Sequence, residues 1–176
     1  GALEAQNADA KNTAVGGLCG DSVTSGTGNT FVGYIAGAGT STTDDNTAVG
    51  HMAYAKGTGA NNTCLGWGAG SSTANTGTAL SGSDNVIVGY GAGYDLTDGP
   101  GNVLVGKQAG ANMTTGDYNV AIGFQAGDAL VGAANENIII GRNALGGTSN
   151  ATSNNIAIGT DTLGNASYAA ASVNLA

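Results

Sequence analysis

An asparagine followed four residues later by a glycine recurs nine times in this chain, always in the same local frame. The asparagines are Asn12, Asn29, Asn46, Asn62, Asn85, Asn102, Asn119, Asn137 and Asn155. The glycines are Gly16, Gly33, Gly50, Gly66, Gly89, Gly106, Gly123, Gly141 and Gly159. Successive asparagines stand 17, 17, 16, 23, 17, 17, 18 and 18 residues apart. A period in this range marks a solenoid, in which each unit packs mainly on its neighbours.

The residues between Asn and Gly set the local structure. The first column is Thr13, Thr30, Thr47, Thr63, Val86, Val103, Val120, Ile138 and Ile156, all β-branched. The third is Val15, Val32, Val49, Leu65, Val88, Val105, Ile122, Ile140 and Ile158. Alternate residues of a strand share a face, and β-branched residues suit a buried pleated surface. We therefore expect one short strand per copy, stacked at ~4.8 Å into a parallel sheet, with these two columns lining the interior.

The middle column is Ala14, Phe31, Ala48, Cys64, Ile87, Leu104, Ala121, Ile139 and Ala157, and none of it is polar. Strands apolar on both faces are buried on both. A lone solenoid covers only its inner face, and soluble monomers rarely expose a long apolar stripe. The middle column is thus expected to pack between chains, in a ring of identical copies about a common axis.

Each glycine reads as a structural turn or a place of close backbone approach. A variable position follows: Gly17, Tyr34, His51, Trp67, Tyr90, Lys107, Phe124, Arg142 and Thr160. An Ala-Gly corner and a polar return rich in Thr, Ser, Asp and Gly complete most copies. Residues 1–11 read as a lead-in or cap, 12–163 as the repeat array, and 164–176 as a tail or truncated further copy. The return at Ser71–Asp84 is longer than its neighbours, and such insertions emerge as loops on one face. The Gly-Ala-Leu start is read as that of a processed chain or a fragment, and the Asn174-Leu175-Ala176 ending as that of a fragment of a longer fibre or an end that completes itself on a neighbour.

Asn-Thr-Ala-Val-Gly (Asn12–Gly16, Asn46–Gly50) and Asn-Val-Ala-Ile-Gly-Phe-Gln-Ala-Gly (Asn119–Gly127) resemble the head repeats of trimeric, YadA-like autotransporter adhesins. They resemble still more the related repeats of phage tail fibres. The resemblance spans roughly residues 12–163. It implies a left-handed parallel β-roll of nine to ten rungs, a homotrimer about a central axis, and a role in extracellular surface attachment. The spacing here is wider than in the adhesin repeat, the extra residues falling in the polar return.

Charge narrows the partners. Only 9 % of residues are charged and the net charge is −8, which argues against nucleic acid and anionic membranes. No apolar run reaches the ~20 residues of a membrane span. The 33 glycines alone would fit a flexible chain, but 41 % hydrophobic residues at fixed positions do not.

Tyr34, His51, Trp67, Tyr90 and Phe124 place aromatics along one edge, as candidates for recognition of a host-surface glycan or protein receptor. The competing reading packs them between chains or over the glycine corners. The Asn column reads either as a stacked amide ladder or as a set of turn residues. Cys19 and Cys64 read as small buried hydrophobes three rungs apart, too far for a disulfide. Cys64 copies from three chains could meet near the axis. With His51 the only histidine, no metal site or cofactor is expected. Asp44, Asp45, Asp95 and Asp98 read as turn acids, and the sequons at Asn61, Asn112, Asn150 and Asn165 as products of composition. No nucleophile elbow, catalytic triad or phosphate loop stands out, so an enzyme is not expected. The alternatives carried forward are a subunit of an end-to-end polymerising filament and an ice-binding solenoid with a Thr array.

Overall fold

The computed structural model describes residues 1–5, 10–71, 79–147, 153–163 and 174–175. Every repeat places a strand where the Asn-to-Gly phrase predicts one: β1 Thr13–Val15, β2 Thr30–Val32, β3 Thr47–Val49, β4 Thr63–Leu65 and β5 Val86–Val88. β6 Val103–Val105, β7 Val120–Ile122, β8 Ile138–Ile140, β9 Asn155–Ile158 and β10 Asn174–Leu175 continue the series. They form one parallel sheet in sequence order. Each residue pairs with its counterpart one copy on, as in Thr13↔Thr30, Ala14↔Phe31 and Val15↔Val32. The chain is an all-β parallel solenoid, with no helix among the described residues.

The ladder does not stop at the strand ends. Gly33 N–H donates to Val15 O at 2.8 Å, Ile35 N–H to Gly17 O at 3.0 Å and Gly37 N–H to Ala53 O at 3.0 Å. The returns bond likewise, with Thr24 N–H on Ser41 O at 2.9 Å. Corners that would otherwise orphan backbone groups thus satisfy them on the next rung.

The recurrent glycine is required twice over. Its φ lies between +127° and +139° at all nine positions, a conformation that L side chains rarely adopt. At Gly16, Gly33, Gly50, Gly66, Gly89, Gly106, Gly123 and Gly141 an added Cβ would also lie 2.3–2.5 Å from the carbonyl oxygen of the next glycine in the column. A second close-approach column, which the repeat reading missed, stands three residues before the next asparagine. A Cβ on Gly26, Gly59, Gly82, Gly99 or Gly116 would meet the next rung's carbonyl oxygen at 2.1–2.4 Å.

The asparagines form the amide ladder. Asn102 N–H and Nδ2 donate to Asn85 Oδ1 at 2.8 and 3.1 Å, and Asn119 repeats this on Asn102 at 2.9 and 3.1 Å. Nδ2 also reaches the second glycine column, as from Asn102 to Gly116 O at 2.8 Å. Eight of these side chains, Asn29 to Asn155, are 0–2 % exposed. A buried amide is tolerated there because its groups find partners.

The assignment of the two faces is the reverse of the sequence expectation. Phe31, Ala48, Cys64, Ile87, Leu104, Ala121, Ile139 and Ala157 are 0–1 % exposed inside a single chain, with Ala14 packed against them. They are the core of the roll, not inter-chain contacts. Alanines of the Ala-Gly corners and the return residues Val23, Leu80, Leu96, Met113 and Leu130 cover them. The flanking columns, expected inside, point outward, and none of their residues is buried. Val15 is 59 % exposed, Ile158 54 % and Leu65 47 %. Alternation fixes which residues share a face but not which face turns in. The roll is thin enough that one column per rung fills it.

Core packing is complementary between rungs. Around Ala48, Tyr54 replaces the corner glycine and is fully buried. Its ring comes within 2.0 Å of where a Cβ on Gly57 would sit. Its hydroxyl donates to Gly59 O at 2.6 Å and accepts from Asn62 Nδ2 at 3.1 Å. At the N-terminal end Leu3 packs against the core and donates its N–H to Cys19 O at 3.1 Å.

Candidate functional site

Beside the outward sheet face runs the variable column. The residue after it is left-handed in every copy: Leu18, Ile35, Met52, Gly68, Gly91, Gln108, Gln125, Asn143 and Asp161 have φ from +51° to +61°. Non-glycine residues pay ~1–2 kcal/mol for that conformation. A rung-to-rung bond holds it: Gly91 N–H donates to Trp67 O and Gln108 N–H to Tyr90 O, both at 2.9 Å. Because each variable residue offers its carbonyl to the next rung, the column is fixed in register and its side chains are forced together.

The five aromatics named from sequence therefore lie in one strip. Ring centroids are 5.5 Å apart from Tyr34 to His51, 6.3 Å from His51 to Trp67 and 4.7 Å from Trp67 to Tyr90. His51 and Trp67 are parallel within 2°, Trp67 and Tyr90 within 13°. The strip continues through Lys107, whose Nζ lies 5.7 Å from the Tyr90 ring and 5.6 Å from that of Phe124. These distances suit cation–π attraction. Farther along, Arg142 pairs with Asp161 at 2.8 Å, both more than half exposed. Neighbouring rings occupy one another's faces along the strip, so what it offers to solvent is chiefly ring edges and the hydroxyls of Tyr34 and Tyr90.

One place along the strip breaks the pattern. The left-handed column carries long side chains at Ile35, Met52, Gln108 and Gln125 but glycine at Gly68 and Gly91. The position after the Ala-Gly corner is small at Ala38, Ala55, Ser71 and Ala111 but a tyrosine at Tyr94. Tyr94 turns its ring onto Trp67, 6.1 Å away and within 12° of parallel. The result is a cavity of about 290 Å³ walled by Trp67, Tyr90 and Tyr94 and edged by Asp95, Gln108 and Asn112. Its floor is the small pair Gly91 and Ala111. Burial pushes the Asp95 carboxyl above the usual carboxylate range. Asn112 Nδ2 donates to Asp128 O at 2.6 Å, and Gln125 Nε2 to Gln108 Oε1 at 3.5 Å.

Of the other residues weighed from sequence, Cys19 and Cys64 are buried free thiols. Cys19 Sγ donates to Phe31 O at 3.1 Å. Cys64 lies in the roll's core at 0 % exposure, so its copies cannot meet at an inter-chain axis. Burial raises both thiols above their ordinary range. Asp44 is a turn acceptor, its Oδ1 taking Thr27 N–H at 2.7 Å. Among the described residues no three His, Cys, Asp or Glu side chains group as metal ligands. The sequons at Asn150 and Asn165, and residues 72–78 of the long return, lie outside the described residues.

Fold and strip together define a parallel β-solenoid carrying a lateral side-chain ladder with a notch beside it. Compared with models of known protein families, with curated proteins and with solved structures, the chain gives no significant match.

Proposed function

We propose that this chain is a structural length of an extracellular trimeric fibre, a tail-fibre or adhesin-like segment acting as a stiff spacer that also contacts a target surface. The observation that carries the reading is the outward face of the sheet. Its two columns, Thr13 to Ile156 and Val15 to Ile158, hold eighteen residues without one ionisable group, and aliphatic members such as Val86, Ile122, Ile138 and Ile140 are 36–39 % exposed. An uncharged strip of this length, aliphatic at fourteen of its eighteen positions and threonine at Thr13, Thr30, Thr47 and Thr63, calls for a cover. Two further copies of the same strip, repeating at the same ~4.8 Å pitch, supply it by closing a left-handed roll into a three-fold bundle. The interface so proposed uses the flanking columns, in place of the middle column expected from sequence.

Light scattering on the purified chain at several concentrations tests this. A constant mass of three chains supports the bundle, and a constant monomer mass sinks it. Val88→Lys should leave the circular dichroism unchanged while converting the trimer to monomer.

Two other readings have an observation behind them. β10 pairs on β9 in the repeat's register, Asn174↔Asn155 and Leu175↔Ile156, and the same register would let rungs of another copy stack on in series. Mass that climbs with concentration would favour this end-to-end filament. Thr13, Thr47 and Thr63 lie on the exposed outer face, which restores a geometric basis for ice binding. Absence of thermal hysteresis would remove that reading.

A further inference from the structure

The cavity spanning the fourth to sixth rungs sets one stretch of the strip apart. Three departures from the repeat line it: the single tryptophan of the chain at Trp67, glycine at Gly91 in place of a long side chain, and Tyr94 in place of a small one. A fourth, Gly68, lies against the Tyr94 ring, where a Cβ would come within 3.3 Å of it. Solvent-facing positions of a solenoid vary independently, because each rung needs only its backbone ladder and its core residue. Departures that converge on one space shape that space.

The space itself is empty by design of the backbone. A Cβ on Gly91 would have Gln108 Cγ at 3.8 Å as its only neighbour, so no steric clash demands glycine there. The left-handed φ of +59° does not demand it either, since Gln108 and Gln125 adopt the same conformation on the next two rungs. What glycine contributes is room between the Trp67 and Tyr90 edges and the polar rim.

We infer that this notch binds one neutral saccharide unit, free or terminal on a surface glycan. The inference rests on the attachment reading above and gives that attachment a place and a ligand class. A volume of about 290 Å³ lies at the lower end of small-molecule sites, which leaves room for one ring and not for a peptide segment. The walls are the edges of the stacked Trp67, Tyr90 and Tyr94 rings, apolar flanks against which the C–H groups of one sugar ring can lie. The rim offers a carboxylate, two carboxamides and phenolic oxygens, a set that can both donate to and accept from several hydroxyls. Among the described residues no cation lines the notch. Asp95 at its edge and the net charge of −8 disfavour sialic acids, phosphates and sulfated sugars. Asp95, held in a setting that raises its pKa, is available to pair with hydroxyls.

The sole tryptophan lies in the wall, so its fluorescence reports occupancy. Titration of the intact chain with N-acetyllactosamine, cellotriose and maltotriose should give a saturable change with at least one of them. 3′-Sialyllactose should give none. Gly91→Gln, which copies the residue of the next rung into the notch, should weaken binding at least about tenfold with unchanged mass and melting temperature. Asp95→Asn should weaken it as well. No saturable change with any neutral probe, equal binding by Gly91→Gln, or preference for the sialylated sugar would each overturn the inference. So would loss of oligomer mass in Gly91→Gln, which would make the notch a contact between chains. Adhesion to glycan-bearing surfaces separates the two levels. If wild type and Gly91→Gln adhere equally, the notch is refuted and attachment stands; if soluble sugar binds but neither adheres, the notch stands and attachment fails.

Discussion

The two faces of the sheet have the same pleat and similar apolar residues, yet they answer to different demands. The inner face admits one residue per rung, and its occupants trade volume with their surroundings: Ala48 stands near Tyr54, while Phe31 closes over Gly37. The outer face presents two residues per rung and trades nothing. It changes character along its length, from Thr-x-Val or Thr-x-Leu in β1–β4 to aliphatic-x-aliphatic in β5–β9. An interior is constrained by packing density, where even one methylene is felt. A face with no packing partner within the chain is constrained only by the regularity of the ladder beneath it.

That contrast is sharpened first at the corner between the faces. Gly106→Val should abolish the cooperative thermal transition, because φ of +137° and a carbonyl oxygen 2.3 Å from the new Cβ leave no native solution. A loss above ~4 kcal/mol is expected, read by circular dichroism. Next in size is the inner column. Leu104→Ala should cost about 2–5 kcal/mol in denaturant unfolding, whereas Val105→Ala, one residue on and facing out, should cost a monomer well under 1 kcal/mol. Equal losses would erase the distinction between the faces. Asn119→Ala removes the acceptor of Asn137 N–H and Nδ2, at 3.0 and 2.9 Å, and the donor to Ala134 O. About 3 kcal/mol should be lost, as buried groups go unpaired. The strip beside the sheet should be much less sensitive. Lys107→Ala should cost about 0.5–1 kcal/mol, and more would show the strip to be part of the framework.

The smallest effect concerns Asp95. Burial raises its folded pKa above the unfolded value, so its stability contribution is full below the unfolded carboxylate range and is lost as pH rises through the folded pKa. Asp95→Asn should therefore melt slightly higher than wild type at pH 7 and equally at pH 3. A carboxylate kept where it lowers stability at neutral pH fits a residue retained for binding.

Much of this architecture could be read from the chain before any coordinates. The Asn and Gly columns located all nine full strands because both residues are fixed by backbone needs that repeat with the rung. Which face turned inward was not legible from alternation. The missed signal lay in the return, where Val23, Leu96 and Met113 each stand six residues before the next asparagine and supply the far wall of the core. The second close-approach column was hidden because Thr43 and Ala134 interrupt its glycines. The aromatic column was visible as a column. The notch was not, since it depends on Gly68, Gly91 and Tyr94, which become neighbours only when rungs separated by the long return are stacked. Lys107 was legible as a charge but not as the link between Tyr90 and Phe124.

The asparagine ladder has one more consequence, in electrostatic terms. From Asn12 to Asn137 each side-chain carbonyl in it points toward the following rung and accepts from that rung's amides. The amide dipoles therefore add instead of cancelling, and each polarises the next inside a low-dielectric core. The asparagine column is thus electrically directional, positive toward its first rung and negative toward its last, whereas the backbone bonds around it run both ways, as in Thr13 N–H to Asn29 O and Gly33 N–H to Val15 O. Two such columns meet favourably head to tail and unfavourably tail to tail. Any fibre that lengthens by joining these ends inherits one direction from end to end.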